Sequence, residues 1–203
     1  MPATRTRAVT WLKEQPFGVE HVEVRLAGSR LVAAGVAIGC EPLPYRLDYR
    51  LETRKGFVTA RLRVTARGDG WRRRLELKRS SEGGWSCATT TSGSAPLSAP
   101  GGDVRLLNGA LDCDLGLSPL TNSPPVLRHR LLRGGGPVDF LMAWVSVPDL
   151  GVFRSEQRYT FVRADGEHSV VRYEDANGSL AADLTFDADG LVVDYPKLAR
   201  RFS

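Results

Sequence analysis

The chain has 203 residues, of which 42% are hydrophobic and 25% charged, so it can bury a sizeable core and is not a disordered protein. Its net charge of +5 comes mostly from arginine, which suits either acidic partners or a GC-rich coding sequence. The longest apolar run, 31–39, is too short for a transmembrane helix, and the N-terminus lacks the apolar segment of a signal peptide. We therefore expect a cytoplasmic protein with no transmembrane segment.

Alternation of apolar and polar residues dominates the chain and predicts half-buried antiparallel strands. The apolar run 31–39 predicts a buried strand, and 45–52 and 58–65 alternate clearly. The same pattern recurs at 22–26, 159–161, 184–186 and 191–193. Turn-forming pairs separate these runs: Gly28-Ser29, Lys55-Gly56, Asp69-Gly70, Gly83-Gly84, Asp165-Gly166, Asn177-Gly178 and Asp189-Gly190. We predict an all-β fold, a single antiparallel barrel-like or strongly curved sheet with little helix, in which 118–132 could hold a short one.

The Ser/Thr/Gly/Pro-rich stretch 89–103 interrupts this rhythm and predicts a long loop or linker. It could divide two domains or serve as a lid. We favour one domain over residues 1–203, because the first half alone would be a sheet with open edges.

The three cysteines, Cys40, Cys87 and Cys113, are widely spaced, which argues against disulfides and structural zinc and favours buried thiols. Nucleophile-elbow, zinc-helix and phosphate- or dinucleotide-binding motifs are absent from the sequence. We therefore predict no metal or cofactor, and no catalytic residue is assigned. The oligomeric state stays open.

The densest polar cluster is Asp112-Cys113-Asp114, followed by Asn122 and then Arg128-His129-Arg130. Carboxylates at i and i+2 on a strand share a face, where they could bind a hydroxylated headgroup or a cation, or work as an acid–base pair. The competing interpretation is that they pair with the nearby arginines.

Arg73 has the phase of the apolar residues Trp71, Leu75 and Leu77, so it is either a rim residue with a solvated head or a cavity residue facing an anionic headgroup.

Aromatic residues recur at inward positions, among them Tyr49, Trp144 and Tyr159, and their polar tips suit a cavity of mixed character. Nucleic acid is a possible partner for an arginine-rich β protein. Acidic residues are interleaved with the arginines, however, so we predict no nucleic-acid groove.

Four segments together resemble a bacterial family labelled putative glycolipid-binding. They are the run Asp112-Cys113-Asp114-Leu115-Gly116-x-Ser118-Pro119-x-Thr121-Asn122-x-x-Pro125, the tryptophan strand AWVSVPDL at 143–150, the pair Gln157-x-Tyr159, and the closing motif at 183–196. The resemblance implies a spouted β-barrel similar to the lipoprotein carriers of the bacterial envelope. It places Asp112, Asp114 and Asn122 near the barrel mouth.

Our leading hypothesis is non-catalytic binding or carriage of a glycolipid or related amphiphile. The ligand would contact Asp112, Asp114, Asn122, Arg73, Trp144, Tyr159 and Tyr49. One alternative is a small hydrolase or isomerase that uses the Asp112/Asp114 pair on a hydroxylated substrate. Another is a protein-interaction module with a filled interior.

Overall fold

The computed structural model describes residues 3–202 and is 58% strand and 8% helix. Seven strands form its first half: β1 (Thr4–Lys13), β2 (Gly18–Ala27), β3 (Arg30–Gly39), β4 (Tyr45–Thr53), β5 (Thr59–Gly68), β6 (Trp71–Arg79) and β7 (Trp85–Gly93). Seven more follow: β8 (Asp112–Leu115), β9 (Val138–Val145), β10 (Val152–Asp165), β11 (His168–Asp175), β12 (Ala181–Phe186), β13 (Val192–Tyr195) and β14 (Ala199–Phe202). The prediction of an all-β protein with little helix is confirmed.

Helical structure within the described residues is confined to short connections. Three 3₁₀ turns span Lys55–Phe57, Val104–Leu107 and Pro119–Asn122, and the single α-helix, α1, spans Ser123–Arg128. The stretch 118–132, which could hold a short helix, does contain one. Over residues 3–202, no helix has the length and apolar character that a membrane crossing requires.

All fourteen strands belong to one curved sheet, in the order β7-β6-β5-β4-β3-β2-β1-β14-β13-β12-β11-β10-β9-β8. Every pair is antiparallel except β8 with β9. The sheet is not closed, because β7 and β8 are edge strands. The strongly curved sheet, one of the two predicted forms, is therefore confirmed, whereas the spouted barrel that the resemblance implied is not.

The edge strand β8 nevertheless reaches the first half of the sheet. The backbone N–H of Cys113 donates to Thr59 Oγ1 at 3.0 Å, and that of Thr59 donates to the carbonyl of Leu111 at 2.9 Å. Trp85 Nε1 donates to the carbonyl of Ala110 at 3.1 Å. These contacts hold the segment that enters β8 against the inner surface of the first half.

Two apolar clusters fill the inner face of the sheet. One covers the first half and includes Trp11, Leu31, Leu51, Leu62 and Leu77. The other lies under β9–β13 and includes Tyr159, Val171, Leu184 and Phe186. Because burying one large apolar side chain contributes about 1.5–3 kcal/mol, these clusters supply the main driving force for folding.

The glycines of β3 show why this strand accepts large aromatic neighbours. Gly35 pairs with Tyr49 and Gly39 with Tyr45 across the β3–β4 ladder. A Cβ on Gly35 would lie 2.4 Å from Cζ of Tyr49, and one on Gly39 would lie 2.4 Å from the hydroxyl of Tyr45. The missing side chains leave the space in which the two rings lie flat over the strand.

Two sequence predictions need correction. The predicted loop 89–103 begins later, because Thr89 to Gly93 continue β7 and pair with β6. Threonine favours strands, so a polar composition did not exclude one at this sheet edge. Of the three thiols only Cys113 is buried; Cys87 is half-buried and Cys40 is exposed.

Candidate ligand-binding cavity

A cavity of about 490 Å³ lies beside the C-terminal half of the sheet, where the chain turns after β8. Its walls come from the 114–118 turn, the 3₁₀ turn at Asn122, the end of β9, the start of β12 and the β13–β14 turn. Gln15, from the β1–β2 turn, and Tyr173, from β11, complete the lining. The volume falls in the usual range of about 300–1,000 Å³ for small-molecule sites.

One wall of the cavity is apolar. Trp144, Val147, Leu180, Ala182 and Leu198 contribute to it. The ring of Trp144 packs against Phe153, with 5.7 Å between ring centroids. A Cβ on Gly116 would lie 3.4 Å from Cζ2 of Trp144 and 3.0 Å from the carbonyl oxygen of Val145, so the turn packs closely on this wall.

Asp114 supplies the carboxylate of the polar wall. Its Oδ1 accepts a hydrogen bond from Thr121 Oγ1 at 2.7 Å, and its Oδ2 accepts one from Gln157 Nε2 at 2.7 Å. Burial raises the pKa of Asp114, although these two donors oppose the shift. Because a carboxylate can accept about four hydrogen bonds, Asp114 retains acceptor capacity for a ligand.

Asn122 lies beside this carboxylate, and Tyr159 supports it from behind. The Tyr159 hydroxyl donates to Asn122 Oδ1 at 2.7 Å, and Asn122 Nδ2 donates to the carbonyl of Pro119 at 3.2 Å. Tyr159 is buried edge-to-face against Phe140 and Tyr173, and burial raises its pKa well above the usual value. Tyr159 therefore positions Asn122 and does not itself line the cavity.

Ser118 connects the cavity to a buried ion pair. Its Oγ donates to Glu20 Oε1 at 2.6 Å, and the Tyr49 hydroxyl donates to the same oxygen at 2.7 Å. Lys13 Nζ lies 3.0 Å from Glu20 Oε2. Tyr49 thus does not line the cavity itself. It contacts Glu20, whose carboxylate holds the wall residue Ser118.

Lys13 and Glu20 were missed by the sequence analysis, although a signal was present. Lys13 has the inward phase of Val9 and Trp11, and Glu20 that of Val22. Both are charged residues in phase with apolar neighbours, as Arg73 is.

Asp112 and Arg73 lie apart from the cavity. Asp112 is buried in a bidentate ion pair, with Arg128 Nη1 2.7 Å from Oδ1 and Nη2 bonded to Oδ2. Arg73 donates to the backbone carbonyls of Leu97 and Asp149, each at 3.0 Å, and to that of Ser98. It ties the loop after β7 to the turn after β9.

The structure therefore brings Asp114, Asn122 and Trp144 to the cavity, with Tyr159 and Tyr49 behind its polar wall. Of the described residues that line it, Asp114 alone is acidic and Lys197 alone is basic. An apolar wall that faces a few converging polar groups is typical of a site for an amphipathic small molecule.

The fold and the cavity together define a class: an all-β protein whose open, curved sheet holds a cavity of mixed character. The family is identified by a sequence match over residues 8–201, and the chain belongs to the family described as putative glycolipid-binding.

One solved structure, that of a DUF1089 family protein from Pseudomonas aeruginosa, is similar to this chain. The two share 28% sequence identity with a TM-score of 0.68, over 90% of this chain and 92% of the other. No curated protein matches the chain.

Proposed function

We propose that the chain binds one amphipathic molecule, a glycolipid or a related lipid, in this cavity without transforming it. The observation that supports this most directly is the pairing of an apolar wall, at Trp144 and Leu198, with a polar wall at Asp114 and Ser118. The family description points to the same ligand class.

The geometry suggests an orientation for the ligand. Asp114 accepts hydrogen bonds, so hydroxyl groups of a sugar would donate to its remaining lone pairs. Asn122 and Ser118 are held by Tyr159 and Glu20, so they would meet the headgroup with little loss of entropy. The acyl chain would lie along Trp144, Val147 and Leu180, where each buried methylene contributes about 0.8 kcal/mol.

The ion pair of Asp112 disfavours the acid–base alternative. A catalytic pair needs both carboxylates at the substrate, whereas Arg128 occupies both oxygens of Asp112. That leaves one carboxylate, Asp114, at the cavity. Binding is accordingly the function that this geometry favours.

Isothermal titration with decyl glucoside, kept below its micelle concentration, tests the proposal. Ala181 is an exposed alanine of β12 at the cavity, and Ala34 is an exposed alanine of β3 away from it. The change Ala181→Trp fills part of the cavity and should weaken binding about tenfold or more, equivalent to about 1.4 kcal/mol. The control Ala34→Trp should bind like the wild type.

If both variants are folded by circular dichroism and bind decyl glucoside with equal affinity, the cavity is not the binding site. Absence of heat with decyl glucoside, decanol and decanoate alike would contradict binding of a single-chain amphiphile.

A further inference from the structure

A row of exposed and half-buried side chains crosses the outer face of the sheet. Strand register places Arg72, Arg67, Arg46, Ile38, Val19, Leu12 and Arg200 side by side on seven successive strands. We call this set the outer row. Its centre is apolar: Ile38 is 53% exposed and Leu12 47% exposed, with Val19 between them.

Two phenylalanines extend the apolar centre of the outer row. Phe17, in the β1–β2 turn, is 72% exposed. Phe202 is also exposed and pairs with Thr10, two residues from Leu12 on β1. Isolated exposed apolar residues are ordinary, but a contiguous group edged by charge indicates an interaction site.

The ends of the outer row are basic. Arg46 and Arg67 share one acidic partner, Asp48, at 2.7 Å and 3.7 Å, and Arg200 pairs with Asp194 at 3.3 Å. Within residues 3–202, Arg72 makes no ion pair. Four arginines against two carboxylates leave two positive charges in excess, and solvent-exposed ion pairs such as these are weak and exchange readily.

The outer row also adjoins the cavity. Leu12 lies at the end of β1 and Phe17 in the β1–β2 turn, and Gln15 of that turn lines the cavity. The backbone N–H of Glu14 donates to the carbonyl of Leu198, another lining residue, at 2.9 Å. A surface that docks here would therefore lie next to the cavity.

We propose that the outer row docks the protein on an anionic lipid bilayer. Exposed aliphatic and phenyl groups enter the boundary between headgroups and acyl chains, and flanking arginines meet lipid phosphates at headgroup depth. Charge complementarity favours this occupant over a protein partner, because arginines lie at both ends of the apolar centre. The inference goes beyond ligand binding in the cavity and does not depend on it.

Co-sedimentation with vesicles tests the proposal, using phosphatidylcholine alone and phosphatidylcholine mixed with phosphatidylglycerol. The wild type should bind the mixed vesicles, bind the neutral ones much less, and lose binding at high salt. The double change Leu12→Ser/Ile38→Ser should weaken binding about tenfold or more. Its control, Leu106→Ser/Val162→Ser, alters two similarly exposed residues elsewhere and should bind like the wild type.

A second pair of variants separates the charge contribution. The change Arg67→Gln/Arg72→Gln should weaken binding to anionic vesicles about tenfold or more. The matched control, Arg133→Gln/Arg163→Gln, removes two other cations and should have a smaller effect. Ala181→Trp should still bind vesicles, which separates this proposal from the cavity.

Three results would overturn the proposal: no sedimentation of the wild type with anionic vesicles, equal binding by all four double variants, or a dimer that Leu12→Ser/Ile38→Ser converts to a monomer. The last result would make the outer row an interface between two copies of the chain.

Discussion

Removal of the buried ammonium group of Lys13 should destabilise the protein strongly. Lys13 Nζ lies 3.0 Å from Glu20 Oε2, and the two side chains are only 3% and 1% exposed. The change Lys13→Met keeps most of the apolar stem and leaves the Glu20 carboxylate buried without its counter-ion. Breaking such a pair costs about 3–5 kcal/mol of the free energy of unfolding.

A matched control isolates the effect of burial. Arg50 Nε lies 2.8 Å from Glu52 Oε1, a similar distance, but these side chains are 47% and 30% exposed. The change Arg50→Met should therefore cost only about 0–1 kcal/mol. Urea unfolding followed by tryptophan fluorescence measures both values.

The double change Lys13→Met/Glu20→Gln tests the cause. Glutamine keeps an oxygen that accepts from Tyr49 and Ser118 and removes the unpaired charge, so it should recover most of the lost stability. If Lys13→Met costs no more than Arg50→Met, or if the double variant recovers nothing, the buried pair does not have the role assigned here.

Two further changes have three defined outcomes. Gly35→Ala should cost about 1–3 kcal/mol in urea unfolding, because the new Cβ would displace the Tyr49 ring; an unchanged midpoint would show that the ring moves freely. The stability of the wild type relative to Asp114→Asn should fall as pH rises through the raised folded-state pKa of Asp114, since the protonated carboxyl is the form that burial favours. Urea unfolding of both proteins over a pH series checks this sign. A wild type that gains stability relative to Asp114→Asn as pH rises would contradict it. In titrations, Asp114→Asn should also reduce the preference for decyl glucoside over decanol about tenfold, whereas the exposed control Asp139→Asn should keep that preference. An equal reduction in both variants would exclude Asp114 as the headgroup acceptor.

The sequence predicts the strands well because their determinants are local. Alternation marks β4 and β5, and the Asn177-Gly178 and Asp189-Gly190 pairs occupy turns with positive φ at glycine. The end of β7 could not be predicted in this way, because Thr89 to Gly93 are ordered by pairing with β6 rather than by their own composition.

The site was only partly predictable, for a physical reason. The run 112–122 identifies Asp114 and Asn122 as neighbours in the chain, but not which carboxylate faces the cavity. That depends on Arg128, which closes over Asp112 from the far end of α1. The contact between Ser118 and Glu20 joins positions 98 residues apart, so it follows from the curvature of the sheet and not from any local pattern.

Native mass spectrometry of the purified chain, followed by solvent extraction and lipid analysis, tests the central claim most directly. We expect an amphiphile of defined mass bound one-to-one to the wild type and to Ala34→Trp, and depleted in Ala181→Trp. An amphiphile retained equally by Ala181→Trp would contradict the cavity as its site. A wild type that stays free of ligand even after incubation with glycolipid would contradict the binding function itself.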